Sequence, residues 1–370
     1  MKQIKVVIIK QLDEAFIGKW STLLNYSKNT HFFNTPQWFS SCLNAYDIKE
    51  YFIFAAYQGS GLVGVLPLIK SKKFFVDVFA SPGEKYLEKS SVLAKNENPR
   101  IINEIISQVL KNGNIYLAET PEKITAILAK RKSRGILTLS SINPYIQIED
   151  FPFGTISEKH KKRIAGIIKK NSANLKFGHY RNNLSEHLQS VFELESRSSK
   201  KQDHKDCFSN PDNRRLFKSL IKHAGKDIVI NFVYFKNLPI VSSFGFIFNN
   251  TYLAYHTSYD KDFSYLIPGK ILTYNMLIKL REEGVDLFDF SRGHNEFKND
   301  FTKMFAFQYD YYYSTDSLIR IWWEVINFAR RLKANIFKNN RSLDGYCLFK
   351  KYPLRSIASQ ENVRLTTRVI

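Results

Sequence analysis

Apolar residues alternate over positions 3–9 and predict a short strand, after which the spacing changes to that of a helix over 12–27, with Phe16, Trp20, Leu23, Leu24 and Ser27 on one side. Thr35-Pro36 opens a second helix over 35–45. A hydroxyl residue that can cap is followed by proline at the first helical position, and Trp38, Phe39, Cys42 and Leu43 share a face. Two apolar and aromatic runs, 51–58 and 62–70, flank Gly59-Ser60-Gly61 and predict an antiparallel hairpin. Helices near 99–111 and 122–132 flank a strand at 115–119.

The second half begins with a basic helix over 157–171 that turns Ile164, Ile167 and Ile168 inward. A strand at 174–181, helices at 184–200 and 209–224, and three strands at 228–236, 239–248 and 251–258 follow. A helix at 269–283, a strand at 285–290, a short helix near 294–301 and a strand at 305–313 complete it. The first half shows a cruder version of the same order, so duplication of one mixed α/β unit is expected. The boundaries expected are 1–150 and 151–315, with a tail at 316–370.

In that tail Asp316 or Ser317 can cap a helix whose Leu318, Trp322, Val325, Ile326, Ala329, Leu332 and Ile336 recur at helical spacing. Arg320, Arg330, Arg331, Lys333 and Lys338 make it basic, and Ser317–Ile370 holds 11 Lys and Arg against 3 acidic residues. Packing on the second unit is the plainer expectation for this helix. If it is exposed, residues 317–338 would meet an anionic membrane surface as an interfacial anchor.

Composition narrows the picture further. The 370 residues are 44% hydrophobic and carry a formal charge of +21, which excludes wholesale disorder and leaves two globular domains with sizeable cores. Cys42, Cys207 and Cys347 are too scattered for a zinc or redox motif, no metal is expected, and a reducing cytoplasm fits best. The N-terminal apolar run is too short for a signal sequence, and no stretch of about 18 apolar residues predicts a membrane span. A cytoplasmic protein, at most peripheral on the membrane, is expected.

Familiar nucleotide and hydrolase motifs are missing. Gly59-Ser60-Gly61-Leu62-Val63-Gly64 has the spacing of a dinucleotide fingerprint, but a strand follows it where that site needs a helix. No P-loop, zincin, serine-hydrolase or kinase signature occurs. The informative stretch is Tyr252–Lys298. There Pro268-Gly269 opens a helix directly after a strand, so that free backbone N–H groups, the helix dipole and Lys270 can hold a phosphate. A simple helix start is the alternative.

Several short patterns in this order carry a resemblance. The hairpin Val229–Phe248, Tyr259-Asp260 followed by Pro268-Gly269, Asp289-Phe290-x-x-Gly293 and Phe297-Lys298 resemble the FemAB-related, BioF2-like acyltransferase domain of the GNAT superfamily, of the CelD/BcsL type found in polysaccharide gene clusters. Phe33-Asn34-Thr35-Pro36-Gln37-Trp38 resembles the opening of such chains, so the likeness spans most of residues 31–313. Ser196-Arg197 departs from it, since many relatives have tryptophan there.

The resemblance implies an α/β fold of mixed sheets: two tandem GNAT-like units, as in FemABX proteins, with a C-terminal amphipathic helix. It also implies an acyltransferase taking an acetyl or similar group from acyl-CoA to the amine of an amino-sugar or lipid-linked saccharide acceptor. Pro268, Gly269, Lys270 and Ile271 would hold the donor. By similarity Lys298 would stabilise developing negative charge, and Asp289 would accept the amine proton or orient the acceptor, a solvated lysine and a turn cap being the respective alternatives. Arg292, His256 and Tyr259 are candidates for the acceptor. Two other functions stay open: an aminoacyl-tRNA-dependent transferase acting on a peptidoglycan precursor, in which the positive charge would hold tRNA, and a basic scaffold that has lost the chemistry.

Overall fold

The computed structural model describes residues 3–27, 30–83, 85–131, 135–151, 156–202 and 206–336. Cys347, Lys338 and most of the basic tail lie outside the described residues. The chain divides into two compact units: residues 1–39, 48–142 and 306–370 form one, and 40–47 with 143–305 form the other.

The first half of the chain supplies β1 (Ile4–Ile9), α1 (Glu14–Asn25), α2 (Pro36–Ala45), β2 (Phe52–Gln58), β3 (Gly61–Lys73), β4 (Val76–Ala80), β5 (Leu93–Ala94), α3 (Pro99–Asn112), β6 (Asn114–Pro121), α4 (Glu122–Ala129) and β7 (Ile136–Gln147). The caps form as their residue types dictate. Asp13 accepts the amide of Phe16 at 2.7 Å, and Thr35 accepts that of Trp38 at 3.1 Å. Gly59-Ser60 is a tight turn between β2 and β3, so the glycines serve a hairpin. Gly64 has a packing reason: a Cβ there would lie 2.6 Å from Ile101, on the α3 face that buries Ile101, Ile102, Ile105, Ile106 and Val109 against the sheet.

The second half supplies α5 (Glu158–Lys170), β8 (Leu175–Tyr180), α6 (Leu184–Ser196), α7 (Ser199–Gln202), α8 (Pro211–Ala224), β9 (Ile228–Phe235), β10 (Leu238–Phe248), β11 (Thr251–Tyr259), α9 (Pro268–Glu282), β12 (Leu287–Asp289), α10 (Glu296–Asn299), β13 (Met304–Tyr313) and α11 (Ser317–Ile336). The helix expected over 184–200 breaks at Arg197. There the hydroxyls of Ser196 and Ser198 take the carbonyls of Glu193 and Glu195 and end the ladder.

Each unit has one mixed sheet. In the first the order is β1-β2-β3-β4-β6-β13-β7, and β4 runs parallel to β6. In the second it is β7-β12-β11-β10-β9-β8, and β11 runs parallel to β12. The halves share one order: strand, two main helices, three antiparallel strands, a helix, a parallel strand, a helix and a last strand. Those last strands are exchanged. Residues 145–147 of β7 pair with β12 in the second unit, whereas β13, expected to complete the second unit, pairs with β6 in the first.

The tail helix also departs from expectation. Trp323 of α11 is fully buried with Tyr312, Val78, Ala80 and Tyr116, all of the first unit. The second unit has its own core, with Ile271, Leu272, Met276, Leu277 and Leu280 of α9 packed on Ile146, Val229, Val233 and Tyr252. Burying each such side chain stabilises the fold by about 1.5–3 kcal/mol.

Candidate active site

The second unit contains a cavity of about 620 Å³, within the range of small-ligand sites. It opens where β11 and β12 part. The two strands pair only through Thr251–Leu253 and Leu287–Asp289, after which β11 runs on to Tyr259 without β12 beside it. A bulge helps: Phe244 faces His256 and Gly245 faces Ala254, so Tyr255 is the extra residue. Ala254, Tyr255, Thr257, Ser258 and Tyr259 of β11 then line the cavity, opposite Phe288 and Phe290 from β12 and its extension.

One wall is the start of α9. Ile267 precedes it in a left-handed conformation (φ 49°, ψ 49°) and gives no side-chain cap, and Pro268 has no N–H to offer. The amides of Lys270 and Ile271 turn back to the Ile267 carbonyl at 2.9 and 3.3 Å. Pro268, Gly269 and Lys270 line the cavity, whereas Ile271 is 1% exposed and belongs to the core. The Lys270 ammonium lies 2.5 Å from Asp300, which also faces His160 at 3.4 Å.

The turn after β12 forms a second wall. Asp289 is buried, accepts the amide of Ser291 at 2.8 Å and does not line the cavity. Its carboxylate therefore shapes a turn in which Ser291 (φ 64°) and Gly293 (φ 91°) are both left-handed. Lys298 completes the turn from α10: its ammonium donates to the carbonyls of Ser291, Arg292 and Gly293 at 3.0, 2.9 and 2.8 Å. Three donors meet three acceptors, so Lys298 holds the backbone that presents Arg292 to the cavity.

His256, a candidate for the acceptor, does not line the cavity. Its ring is buried between Phe208 and Phe217, with Nε2 3.1 Å from Glu195. Burial, and then the charge of Lys200, push the imidazole below its ordinary value, while the hydrogen bond to Glu195 and its charge oppose them. For Glu195 burial works toward a higher pKa, but the hydrogen bond and the charge of His256, the Phe208 amide and the charge of Lys200 hold the carboxyl down at about 2. Lys200, which sequence reasoning missed, lines the cavity beside this pair and donates to the Thr257 carbonyl at 2.5 Å. Burial lowers its pKa, with Glu195 opposing. Ser258 links the two parts, since it lines the cavity and its hydroxyl lies 3.3 Å from His256.

Arg197, at the position of departure from the FemAB-related pattern, pairs with buried Asp260 at 2.8 Å and with the Pro239 carbonyl at 3.0 Å. It thereby anchors the segment leading from β11 to α9. Among the described residues, the cavity is lined by four cations, Lys200, Lys270, Arg292 and Lys298, and by no carboxylate.

Comparison with known proteins fits this architecture. Residues 158–299 match the family model for an acetyltransferase (GNAT) domain. The match lies within the second unit. Among solved structures the chain resembles FemX, with 10% identity and a TM-score of 0.62 over 84% of this chain and 98% of that one. It also resembles L-PGS from Bacillus licheniformis (11% identity, TM-score 0.55, 84% and 94% covered). A conserved protein of unknown function from Bacteroides thetaiotaomicron is similar as well (13% identity, TM-score 0.54, 83% and 99% covered). At such identities the likeness is one of fold. No curated protein matches the sequence. The matched residues include helix α9 and the splayed strands β11 and β12 around the cavity, and the match ends at Asn299, the last residue of the turn-holding helix α10.

Proposed function

We propose that the second unit transfers an acyl group, acetyl or similar, from acyl-CoA to an amine of a sugar-containing surface-polysaccharide precursor, in the manner of BioF2-like, CelD/BcsL-type enzymes. The observation that carries the donor is the cavity's lining: four cations and an uncapped helix start around an apolar floor of Leu272, Met276, Phe288, Phe290 and Phe297. Such a site suits a ligand with an uncharged arm and phosphate groups. When bound, acyl-CoA supplies an activated thioester. The Gly269 N–H and the Lys270 ammonium would hold its phosphates, with Pro268 fixing the start of the helix, and the apolar floor would align the arm.

The chain's own residues then have definite tasks. The acceptor amine must be neutral to attack, and negative charge develops on the carbonyl oxygen as it does so. Lys200, its proton affinity lowered by burial, is the cavity group best prepared to take part in proton transfer, with Ser258 leading to the His256–Glu195 pair. Lys298 acts by holding the Ser291–Gly293 turn, so that Arg292 faces the acceptor, with Tyr259 of β11 lining the same cavity. Exclusion of a carboxylate from the wall favours the developing oxyanion. The aminoacyl-tRNA alternative draws on the same cations and on the overall charge of +21.

Calorimetric titration of the full chain with CoA, acetyl-CoA and uncharged tRNA at physiological ionic strength separates them. The expected result is stoichiometric CoA binding that weakens about five- to tenfold in Lys270→Ala. Lys298→Met should retain CoA binding and lose transfer about a hundredfold, because the turn relaxes while the donor wall stays. Tight tRNA binding with no CoA binding would overturn the acyl-CoA reading.

A further inference from the structure

One large apolar surface lies in the first unit, on residues that do not line the cavity. Helix α11 is apolar on two faces. One face buries Trp323, while the other carries Leu318, Ile321, Trp322, Val325 and Phe328, which are 74, 56, 43, 52 and 62% exposed. Their spacing is i, i+3, i+4, i+7 and i+10, a continuous stripe on the side of the helix opposite Trp323. A helix apolar on both sides has the character of a buried one, and a contiguous exposed stripe marks an interaction surface.

The hairpin between β3 and β4 supplies an independent observation. Its two-residue turn is Phe74-Phe75, with φ of 50° and 69°. Left-handed turns of this kind elsewhere in the chain use Lys236-Asn237 and Asn249-Asn250, where asparagine tolerates the conformation. Phenylalanine has no such ease, and Phe75 is 94% exposed, so packing does not account for it. The Trp322 indole N–H donates to the Phe74 carbonyl at 2.9 Å, which joins the hairpin tip to the helix stripe. Cations border both: Lys73 and Lys72, the latter 4.0 Å from Asp77 across the hairpin, precede the turn, and the Arg330 guanidinium lies 5.6 Å over the Phe74 ring.

We propose that this surface docks on an anionic phospholipid bilayer, with Phe75, Trp322 and their neighbours entering the interface and the bordering cations meeting lipid phosphates. Charge selects this occupant over a second copy of the chain. Two copies would set Lys72, Lys73 and Arg330 against the same cations, whereas an anionic bilayer complements them. From Ser317 onward the sequence holds 11 basic residues, Arg330 among them, against 3 acidic ones. The proposal does not rest on the acyl-transfer reading.

The test is flotation of the full-length protein with vesicles of phosphatidylcholine alone and with about 30% phosphatidylglycerol. Phe75→Asn, which suits the turn, and Ile321→Gln, which suits an exposed helix position, are compared singly and together. Unchanged far-UV dichroism and melting show that the variants fold. Binding is expected on the anionic vesicles only, weakened by salt, with a blue-shifted tryptophan emission. The partition coefficient should fall about tenfold for each substitution. Equal behaviour on both vesicle types, full retention of binding in the double variant, or a lipid-free dimer that the double variant abolishes would each overturn it.

Discussion

Glu195→Gln tests whether the buried network behind the cavity stabilises the second unit as its geometry requires. The Glu195 side chain is 1% exposed and accepts the amides of Cys207 and Phe208 at 3.0 Å each, with His256 Nε2 at 3.1 Å. Glutamine keeps the shape but offers a single acceptor oxygen, and its amide nitrogen must face donors. The carboxyl's pKa is about 2, against an ordinary 4.5. At roughly 1.4 kcal/mol per pH unit, that gap corresponds to about 3 kcal/mol of folding stability at neutral pH.

The sign follows from the direction. A depressed carboxylate stabilises the fold above 4.5, and the contribution is lost as pH falls from there through about 2. His256 acts the same way from a higher pH: burial and Lys200 hold its pKa below the ordinary 6.5, so as pH falls through 6.5 the unfolded chain takes up its proton before the folded one does. Urea unfolding followed by circular dichroism at about pH 7, 5 and 3 measures the difference. The variant should be about 3 kcal/mol less stable near neutrality, with the gap shrinking to less than half near pH 3. A neutral-pH gap below about 1 kcal/mol, or one that does not narrow in acid, would refute the reasoning.

Two further substitutions probe the cavity walls. Asp300→Asn removes the carboxylate 2.5 Å from Lys270, so CoA affinity measured by calorimetry should rise about three- to tenfold; a fall would mean that Asp300 positions the lysine more than it competes for it. Gly245→Ala places a Cβ 2.5 Å from the Leu253 carbonyl at the β10–β11 bulge, where backbone cannot yield, so stability should drop by about 2–4 kcal/mol, read as a lowered Tm and loss of CoA binding.

Periodicity determined most of the elements. The helices at 99–112, 211–224 and 268–282, and the strands at 228–235, 238–248 and 251–259, stand within a residue or two of where spacing and capping residues predict them. Strands β4 and β7 were not legible. β4 is five residues long, and β7 has polar Thr138, Ser140, Ser141 and Asn143 ahead of Pro144, so neither alternates in a way that marks a strand. Their identity comes from partners distant in the chain: β4 lies between β3 and β6, and β7 reaches β12 about 140 residues onward.

For the site, the sequence by itself determined the residue types and their order: the Pro268-Gly269-Lys270 helix start, the Asp289–Gly293 turn and Lys298. Local chemistry suffices there, because a proline, a glycine and a nearby cation act within one turn of helix. Only the tertiary structure decided what those groups face. It turned His256 away from the cavity onto Glu195, committed Lys298 to three carbonyls, and brought Lys200 from α7 against β11. It also left one face of α11 bare while burying the other. Side-chain direction along a bulged strand, and the partner across a fold, depend on contacts between segments far apart in the chain, and no local pattern encodes them.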